Sequence, residues 1–364
     1  MHIGIPKEIK DHEFRVGATP ADVASYIAAG HQVSVGQEAG AAIGFSDADY
    51  RAAGARIGQA DDIYAADLVL KVKEPQPTEY ALLRPGQLLF CYLHLAAAPE
   101  LARELIERQV TAIAFETITD KAGHTPLLAP MSEIAGRLAA QMAAHYLTLP
   151  QQGRGVLLAG AAGVPPARVL IIGGGMAGSN AAQIALGMGA DVTLLDRDPG
   201  RLRELQQRFG PALKTGFSHD DTIRHLLPDT DAVIGAAYIP GRHAPRLLST
   251  EHIRLLPAGA VLVDISIDQG GISETSRPTT HSQPVYLEHG VVHYCVANMP
   301  AAVARTSTLA LTQAVRPYVH KLAQKGLAAL AQDPGFNDGL NIDHGEIRHA
   351  GLAADLQTRQ NQAA

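Results

Sequence analysis

Three glycines and one acid form the most specific chemical motif of the chain. Gly173, Gly175 and Gly178 make a G-x-G-x-x-G after an apolar run at 169–172, and Asp196 follows about 20 residues later. The first glycine permits a tight turn, the second lets a pyrophosphate approach the backbone, and the third lets a helix pack closely on a strand. The free N–H groups at the start of that helix favour phosphate. The motif therefore predicts a dinucleotide site.

The residues around Asp196 favour NAD over NADP. A carboxylate at the end of the second strand accepts hydrogen bonds from a ribose diol and would repel a 2′-phosphate. Arg197 comes directly after it and is the kind of residue that binds such a phosphate, so NADP stays an alternative. A glycine turn with a purely structural role is the other alternative. Strand, glycines, helix, strand and acid nevertheless occur in the order that a dinucleotide site requires.

Four further residues supply what hydride transfer between NAD and a small amino or hydroxy acid needs. Arg15 and Lys73 can fix a carboxylate, and His94 can carry a proton near neutral pH. Asp268 can stabilise a cationic imine or ammonium. Lys73, His94, Asp268 and Asn298 each follow an apolar run. Ligands of open α/β sheets bind beyond the carboxyl ends of the strands, so these positions favour a site there.

Each of these residues also has a purely structural interpretation. His94 lies between two leucines and could be a hydrogen-bonded core histidine. Lys73 could be a solvated strand end, and Arg15 a surface arginine. Asp268 is followed by Gln269 and then by two glycines, a pattern that is common in turns. The residues alone therefore predict an NAD-dependent oxidoreductase of a small acid and no more.

Short apolar runs alternate with helical patterns along most of the chain, which predicts an α/β fold. Proline begins a helix predicted at 20–29, and Ser46 is the expected N-cap of the next one. Ser132 is the expected N-cap of a long helix that ends near Leu147. We expect two Rossmann-like doubly wound domains with a cleft between them, the glycine loop lying in the second.

Composition narrows the class of protein. The 364 residues are 46% apolar with a net charge of −6, and no basic tract points to nucleic acid. No apolar window is long enough to cross a membrane, and the first residues lack the apolar core of a signal peptide. Cys91 and Cys295 lie in separate apolar runs, which indicates buried thiols, a reducing cytoplasm and no metal motif. We expect a cytoplasmic enzyme.

Several longer motifs resemble those of one family. They are L-K-V-K-E-P at 70–75, L-H-L-A-A at 93–97, P-L-L-A-P-M-S-E-I-A-G-R at 126–137, D-I-S-I-D-Q-G-G at 264–271, S-R-P-T-T-H at 276–281 and Y-C-V-A-N-M-P at 294–300. The chain resembles the bacterial L-alanine dehydrogenases, from residue 4 to about Gly326. That family shares a superfamily with the NAD(H)-binding subunit of proton-translocating transhydrogenase.

The resemblance implies an activity and a set of roles. The family converts L-alanine, water and NAD+ reversibly to pyruvate, ammonium and NADH. Arg15 and Lys73 match its substrate-binding pair, His94 its general acid/base and Asp268 its second catalytic residue. Asn298 matches a residue near both nicotinamide and substrate.

The glycine motif and the family together imply the cofactor contacts. They are Ser132, Gly173, Gly175, Met176, Ala177, Gly178, Asp196, Arg197, Arg201, Ser218, Ala237, Tyr238, Ile265, Ser266, Ile267, Asp268, Arg277, Val296, Ala297, Asn298 and Met299. Tyr238 stands where a smaller aliphatic residue is usual. Some relatives bind magnesium with a carboxylate and a histidine. The equivalent positions in this chain lie near Lys321 and Lys325, so no metal site is expected.

The resemblance also implies the organisation of the chain. The expected substrate domain comprises 1–126 plus 305–364, and the expected NAD domain 127–304. Family members are usually homohexamers. The alternatives are a transhydrogenase-type NAD(H)-binding module, a related dehydrogenase that acts on another amino acid or keto acid, and a catalytically idle homologue, which the intact polar set disfavours.

Overall fold

The computed structural model describes residues 1–237 and 243–354. They form two compact units, one from the described residues of Met1–Met131 and Ala301–Ala364, the other from Ser132–Pro300. Each unit contains one mostly parallel β-sheet with helices between successive strands. The predicted α/β architecture with two sheets is confirmed.

The first 131 residues alternate strand and helix. The strands are β1 (His2–Ile5), β2 (Gln32–Gly36), β3 (Arg56–Gly58), β4 (Leu68–Leu70), β5 (Leu88–Cys91) and β6 (Thr111–Ala114). The helices are α1 (Pro20–Ala28), α2 (Asp47–Ala52), α3 (Ala60–Tyr64) and α4 (Pro99–Glu107). Thr19 caps α1 and Ser46 caps α2 with a capping box, which confirms the predicted start of each helix. Pro77–Leu82 forms a 3₁₀ helix between β4 and β5.

The middle of the chain carries seven strands among the described residues. They are β7 (Arg168–Ile172), β8 (Asp191–Asp196), β9 (Leu213–Phe217), β10 (Ala232–Gly235), β11 (Val261–Asp264), β12 (Val285–Glu288) and β13 (Val291–Tyr294). The helices are α5 (Ala129–Tyr146), α6 (Met176–Gly187), α7 (Pro199–Phe209), α8 (Asp220–Leu226) and α9 (Thr250–Leu255). Gly189 has a φ of 84° just past α6, which is typical of a glycine that ends a helix.

The expected cap of α5 is wrong. The helix begins at Ala129, so Ser132 lies inside its first turn and does not cap it. Pro130 explains the earlier start, because proline is well tolerated in the first turn, where its missing N–H has no helical partner to lose.

The last part of the chain returns to the first unit. It contains α10 (Ala304–Lys325), α11 (Ala328–Ala331), α12 (Pro334–Asn337), β14 (Leu340–Asp343) and β15 (Glu346–Ile347). β14 pairs antiparallel with β6, and the sheet of this unit has the order β15-β14-β6-β5-β4-β1-β2-β3. Ile342 and Leu352 join the apolar core of β4, β5, β6 and α4.

The second sheet has the order β12-β13-β11-β10-β7-β8-β9, and only β12 runs antiparallel. β7 lies at its centre, with β8 on one side and β10 on the other. The chain therefore reverses direction across the sheet at β7. This switch point is where open α/β sheets bind ligands, beyond the carboxyl ends of the strands.

Both cysteines are buried as predicted, and burial raises the pKa of each thiol, that of Cys295 to about 12. Within residues 1–237 and 243–354, no helix has the length and apolar character that a membrane crossing requires.

Candidate active site

Two of the three motif glycines are required by the local backbone. Gly173 has a φ of 104°, and a Cβ there would lie 2.6 Å from the carbonyl oxygen of Ala236. A Cβ on Gly178 would lie 1.8 Å from the carbonyl oxygen of Gly173. Any side chain at these positions would displace the turn between β7 and α6. The predicted roles of these two glycines, tight turn and close packing, match this geometry.

Gly175 is different, because the space around it is open. Apart from its chain neighbours Gly174 and Met176, no described residue has an atom within 4 Å of the position that its Cβ would take. Gly175 is the N-cap of α6, and the first turn, including Met176 and Ala177, follows it directly. The start of a helix with room for a ligand accepts a phosphate through its N–H groups and dipole. This gap fits the pyrophosphate of a dinucleotide.

Asp196 is fixed beside the glycine loop. Its Oδ2 accepts a hydrogen bond from the N–H of Gly174 at 2.6 Å, and its Oδ1 accepts one from the N–H of Asp198 at 2.9 Å. Each carboxylate oxygen keeps a further lone pair that can accept from a ribose hydroxyl. Arg201 donates to the carbonyl of Gly174 at 2.6 Å, which closes the loop from the other side. Arg197 is exposed.

The loop after β11 is built around a buried acid. Asp264 accepts hydrogen bonds from the N–H groups of Ser266 and Ile272, at 3.1 and 2.8 Å, and from the hydroxyl of Ser276 at 2.6 Å. Burial raises the pKa of the Asp264 carboxyl, and these hydrogen bonds oppose the rise. The loop carries Asp268, which is exposed to solvent.

The remaining predicted cofactor contacts follow neighbouring strands. Ser218 donates its N–H to the carbonyl of Asp196, and the hydroxyl of Ser266 donates to the carbonyl of Ala237. Asn298 has a φ of 70°, and its carbonyl lies 3.1 Å from Nε2 of His281. The others are the half-buried Ser132, Ile265 and Ala297, the buried Ile267, Val296 and Met299, and the exposed Arg277, which lies over the ring of Tyr286. Tyr238 lies outside the described residues.

Most of this set lies at one edge of the second sheet. The residues follow or end β7, β8, β9, β10, β11 and β13, which are mutually parallel. Because parallel strands present their carboxyl ends at the same edge, the structure brings these residues together there. Ser132 comes instead from α5, and Arg277 from the segment between β11 and β12.

In the first unit, Arg15 is buried against a carboxylate. Its Nε and Nη2 donate to the two oxygens of Glu13, at 2.7 and 2.5 Å, and its Nη1 lies 3.1 Å from Sδ of Met131. Burial lowers the pKa of the guanidinium, but Glu13 outweighs it and holds the pKa above its usual value. Arg15 is therefore a fixed cation and not the surface arginine of the alternative interpretation.

Lys73 is also buried, at the carboxyl end of β4. The Lys73 ammonium lies 3.8 Å from the Glu74 carboxylate, and the backbone N–H of Lys73 donates to Glu8 at 3.3 Å. Burial raises the pKa of Glu74, but the ammonium groups of Lys73 and Lys10 outweigh it and keep that pKa below its usual value. Glu8 also accepts from the N–H of Val72 at 2.7 Å, which fixes the strand end.

His94 follows β5 in a strained backbone conformation, with a φ of 48°. Its ring stacks on that of Tyr92, with centroids 6.0 Å apart and planes at 5°. Glu116 accepts the N–H of His94 at 2.6 Å. The imidazole is 30% exposed, so it is open to solvent on one side and is not a closed core histidine.

Lys73 and His94 share an edge of the first sheet. β4, β5 and β6 are parallel neighbours, and Lys73, His94 and Glu116 follow them in turn. Burial raises the pKa of Tyr92, the residue that stacks on His94, and the nearby Arg15 guanidinium opposes the rise. This edge therefore combines two cations and an imidazole, which can bind a small carboxylate and move a proton next to it.

The chain matches two family descriptions over nearly its whole length. They are "Alanine dehydrogenase/PNT, N-terminal domain" over residues 4–135 and "Alanine dehydrogenase/PNT, C-terminal domain" over residues 139–350. The chain belongs to the alanine dehydrogenase/PNT family. The resemblance seen in the sequence motifs is thereby confirmed.

Similar proteins match over nearly the full length of both chains. The alanine dehydrogenase of Halomonas elongata is 51% identical, over 100% of this chain and 99% of the relative. That of Bacillus subtilis is 49% identical, over 98% and 95%. A solved L-alanine dehydrogenase superposes with a TM-score of 0.94 at 45% identity, covering 98% of this chain and 99% of the other. A transhydrogenase of Sinorhizobium meliloti shares the fold, with a TM-score of 0.81 at 24% identity over 96% and 99%.

Three glutamates of the candidate site were not predicted from the sequence. Glu8, Glu13 and Glu116 contact the predicted residues directly, yet none was predicted as part of the site. Glu116 carries a usable signal, because it follows the apolar run of β6 as Lys73 follows that of β4. Glu8 and Glu13 lie in a segment without regular structure and have no such pattern. Among the described residues, no group of three or more His, Cys, Asp or Glu side chains could hold a metal ion.

Proposed function

We propose that this chain catalyses the reversible NAD-dependent oxidative deamination of L-alanine to pyruvate and ammonium. The observation that carries the proposal is the match to alanine dehydrogenases at 49–51% identity over at least 95% of both chains. The buried Arg15 and Lys73 and the accessible His94 support it, because they are the residue types that this chemistry needs.

We infer that NAD binds at the carboxyl edge of the second sheet. The open space before α6 fits the pyrophosphate, and the fixed carboxylate of Asp196 fits the ribose diol. NAD+ would supply the hydride acceptor for the hydrogen on the alanine Cα. The anion at Asp196 favours NAD over NADP, because a 2′-phosphate there would meet a carboxylate tied to Gly174.

Arg15 and Lys73 would bind the substrate carboxylate. Both side chains are buried and each lies against its own glutamate, so neither must be dehydrated when the substrate arrives. A guanidinium and an ammonium held in place also lose little side-chain entropy on binding. Two fixed cations orient the Cα of alanine and favour the carboxylates of alanine and pyruvate alike.

His94 would move the protons of the hydrolytic half of the reaction. Once alanine is oxidised to the imine, the imidazole takes a proton from the attacking water, and a carbinolamine forms. The carbinolamine then loses ammonia, which takes up a proton, and pyruvate remains. Asp268 would stabilise the cationic nitrogen during these steps, as its family position implies.

A direct assay tests this proposal: purified protein with NADH, pyruvate and ammonium, followed by NADH absorbance. Rapid oxidation that depends on ammonium supports the alanine reaction. NADH binding without turnover would instead support a transhydrogenase-type module, and turnover only with another keto acid or amine would identify a different substrate. The reverse reaction with L-alanine and NAD+, compared with NADP+, tests the cofactor.

We also propose that the chain works as a homohexamer in the cytoplasm, as the family resemblance implies. Light scattering on the purified protein would then give about six times the chain mass of 38.4 kDa. A mass of one or two chains would contradict the hexamer but would not bear on the proposed reaction.

A further inference from the structure

We propose that Glu116 is a positioning residue, which holds His94 in the conformation that proton transfer requires. The inference rests on the proposed function, because it takes His94 as the acid/base. Glu116 lies in a short 3₁₀ helix, Phe115–Thr117, that directly follows β6. Its side chain is mostly buried, with 13% exposed.

The sheet places Glu116 beside the backbone of His94. β5 and β6 are parallel, with Cys91 opposite Ala114, so the segments that leave the two strands run side by side. The Glu116 carboxylate accepts the N–H of Leu93 at 3.2 and 3.3 Å and the N–H of His94 at 2.6 Å. Its Oε1 also lies 3.9 Å from Nδ1 of the imidazole. One carboxylate therefore binds two successive amides at the point where the chain turns.

This hold matters because His94 has an unfavourable backbone conformation. A φ of 48° lies in the left-handed region, which costs a non-glycine residue free energy and persists only where the surroundings fix it. Hydrogen bonds from amides to a charged oxygen are stronger than neutral ones. Since φ of His94 sets the direction of its Cβ, the anchor on its N–H also sets where the imidazole lies.

The ring itself is held by a different residue. Tyr92 stacks parallel to the imidazole, and its hydroxyl donates to the carbonyl of Leu127 at 2.6 Å. Glu116 thus fixes the backbone and Tyr92 fixes the plane of the ring. Loss of Glu116 should keep the contact between the rings of Tyr92 and His94 but release the backbone turn at His94. The imidazole would then still be present but displaced.

Steady-state kinetics of E116A and E116Q test the positioning role. E116A should lower kcat by about 10- to 100-fold, the cost of a catalytic group displaced by about 1 Å. The KM for pyruvate and the Kd for NADH should stay unchanged, since Glu116 contacts neither proposed binding group. E116Q keeps one acceptor oxygen and should recover most of kcat.

Two controls separate this role from charge and from stability. E107Q removes one charge at an exposed position of α4 and should behave as wild type. L105A removes a buried side chain of the same unit and should lower the melting temperature while kcat below that temperature stays normal. If E116A merely lowers the melting temperature, as L105A does, with a normal kcat, the proposal is overturned.

A double-mutant cycle shows whether Glu116 acts through His94. In an H94A background, E116A should cause little further loss, because the group that it positions is gone. The same fold loss in both backgrounds would overturn the proposal. Low turnover in H94A with wild-type turnover in E116A would overturn the positioning role alone and leave the proposed function intact.

Amide hydrogen exchange gives a readout that does not depend on activity. The amides of Leu93 and His94 should exchange at least about 10-fold faster in E116A, as expected when a charge-assisted hydrogen bond is lost. L105A sets the acceleration that lost stability alone produces. Exchange in E116A no faster than in L105A would refute the hold on the turn, whatever the reaction catalysed by the chain.

Discussion

Each residue proposed to act on the substrate in the first unit lies against a glutamate. The pairs are Arg15 with Glu13, Lys73 with Glu74, and His94 with Glu116. The first two pairs neutralise buried cations, which would otherwise carry a large desolvation cost. The third fixes a strained backbone. The side chains proposed to act on the substrate are thus held before any ligand binds, which would reduce the reorganisation that the proposed reaction requires.

His94 can be tested by removal of its imidazole. H94A should lower kcat by at least about 100-fold, the usual contribution of a general acid/base. NADH binding should be unchanged, because the predicted cofactor contacts belong to the second unit. H124A is the matched control, since His124 is an exposed histidine of the same unit. Near-normal ammonium-dependent NADH oxidation by H94A would remove His94 from the mechanism.

Arg15 can be tested by a change that keeps its charge. R15K should raise the KM for pyruvate by about 10- to 100-fold, because an ammonium lacks the planar fork that Glu13 holds and a hydrogen bond between charged groups is lost. Initial rates over a range of pyruvate concentrations measure the effect. R103K on the exposed face of α4 makes the same chemical change away from the site and should leave KM unaltered. An unchanged KM in R15K would place substrate binding elsewhere.

Residue types and strand ends predicted part of this arrangement. Lys73 and His94 were predicted as site residues because each follows an apolar run, and strand ends in α/β proteins are where ligands bind. Glu8 and Glu13 were not predicted, because only the tertiary structure shows what they contact. Glu8 accepts from the backbone at 72–73, and Glu13 accepts from a buried guanidinium. A glutamate near the start of a chain is usually a surface residue, and only its burial shows otherwise.

At the scale of elements, the strand–loop–helix–strand unit from β7 to β8 was predictable almost residue by residue. Its glycines, apolar runs and terminal acid are all local signals, and the backbone angles of Gly173 and Gly189 agree with them. The start of α5 was mispredicted by four residues, because an N-cap at Ser132 would put the first helical residue at 133 and the helix begins at Ala129. A residue type that caps helices can equally lie inside a first turn. Helix ends depend on competition between neighbouring signals and are less certain than helix existence.

The glycine loop gives a test of cofactor placement. G175A should raise the Kd for NADH at least about 10-fold, since its methyl group would fill the space before α6 and disturb a hydrogen bond to phosphate. The fold should survive, because the φ of −64° at Gly175 suits any residue and an added Cβ meets no described residue other than its chain neighbours. NADH fluorescence measures binding with little background, as the chain has no Trp.

A second glycine serves as the control for G175A. Gly187 lies in the last turn of α6 with open space around it, so G187A should keep NADH affinity and stabilise the helix by about 0.5–1 kcal/mol. Wild-type NADH affinity in G175A would show that the pyrophosphate does not lie at this loop.

At the scale of the whole molecule, the first unit is assembled from both ends of the chain. β14 lies more than 200 residues after β6 and yet pairs with it, and β15 extends the same sheet. The sequence from about 333 onward has polar residues and glycines without a clear period, so neither strand was predicted. Short edge strands have weak local sequence signals, and here it is the pairing with β6 that makes β14 a strand.

Ile342 tests whether this returning segment is an integral part of the unit. Its side chain is fully buried among residues of β4, β5, β6 and α4, so I342A should lower the free energy of unfolding by about 2–5 kcal/mol. E346A on the neighbouring β15 removes an exposed side chain with a surface ion pair and should cost at most about 1 kcal/mol. Urea unfolding followed by circular dichroism measures both. Equal small losses in the two variants would mean that the segment adds little to the core. A loss confined to I342A, with NADH affinity retained, would mean that the end of the chain stabilises the first unit without shaping the nucleotide site.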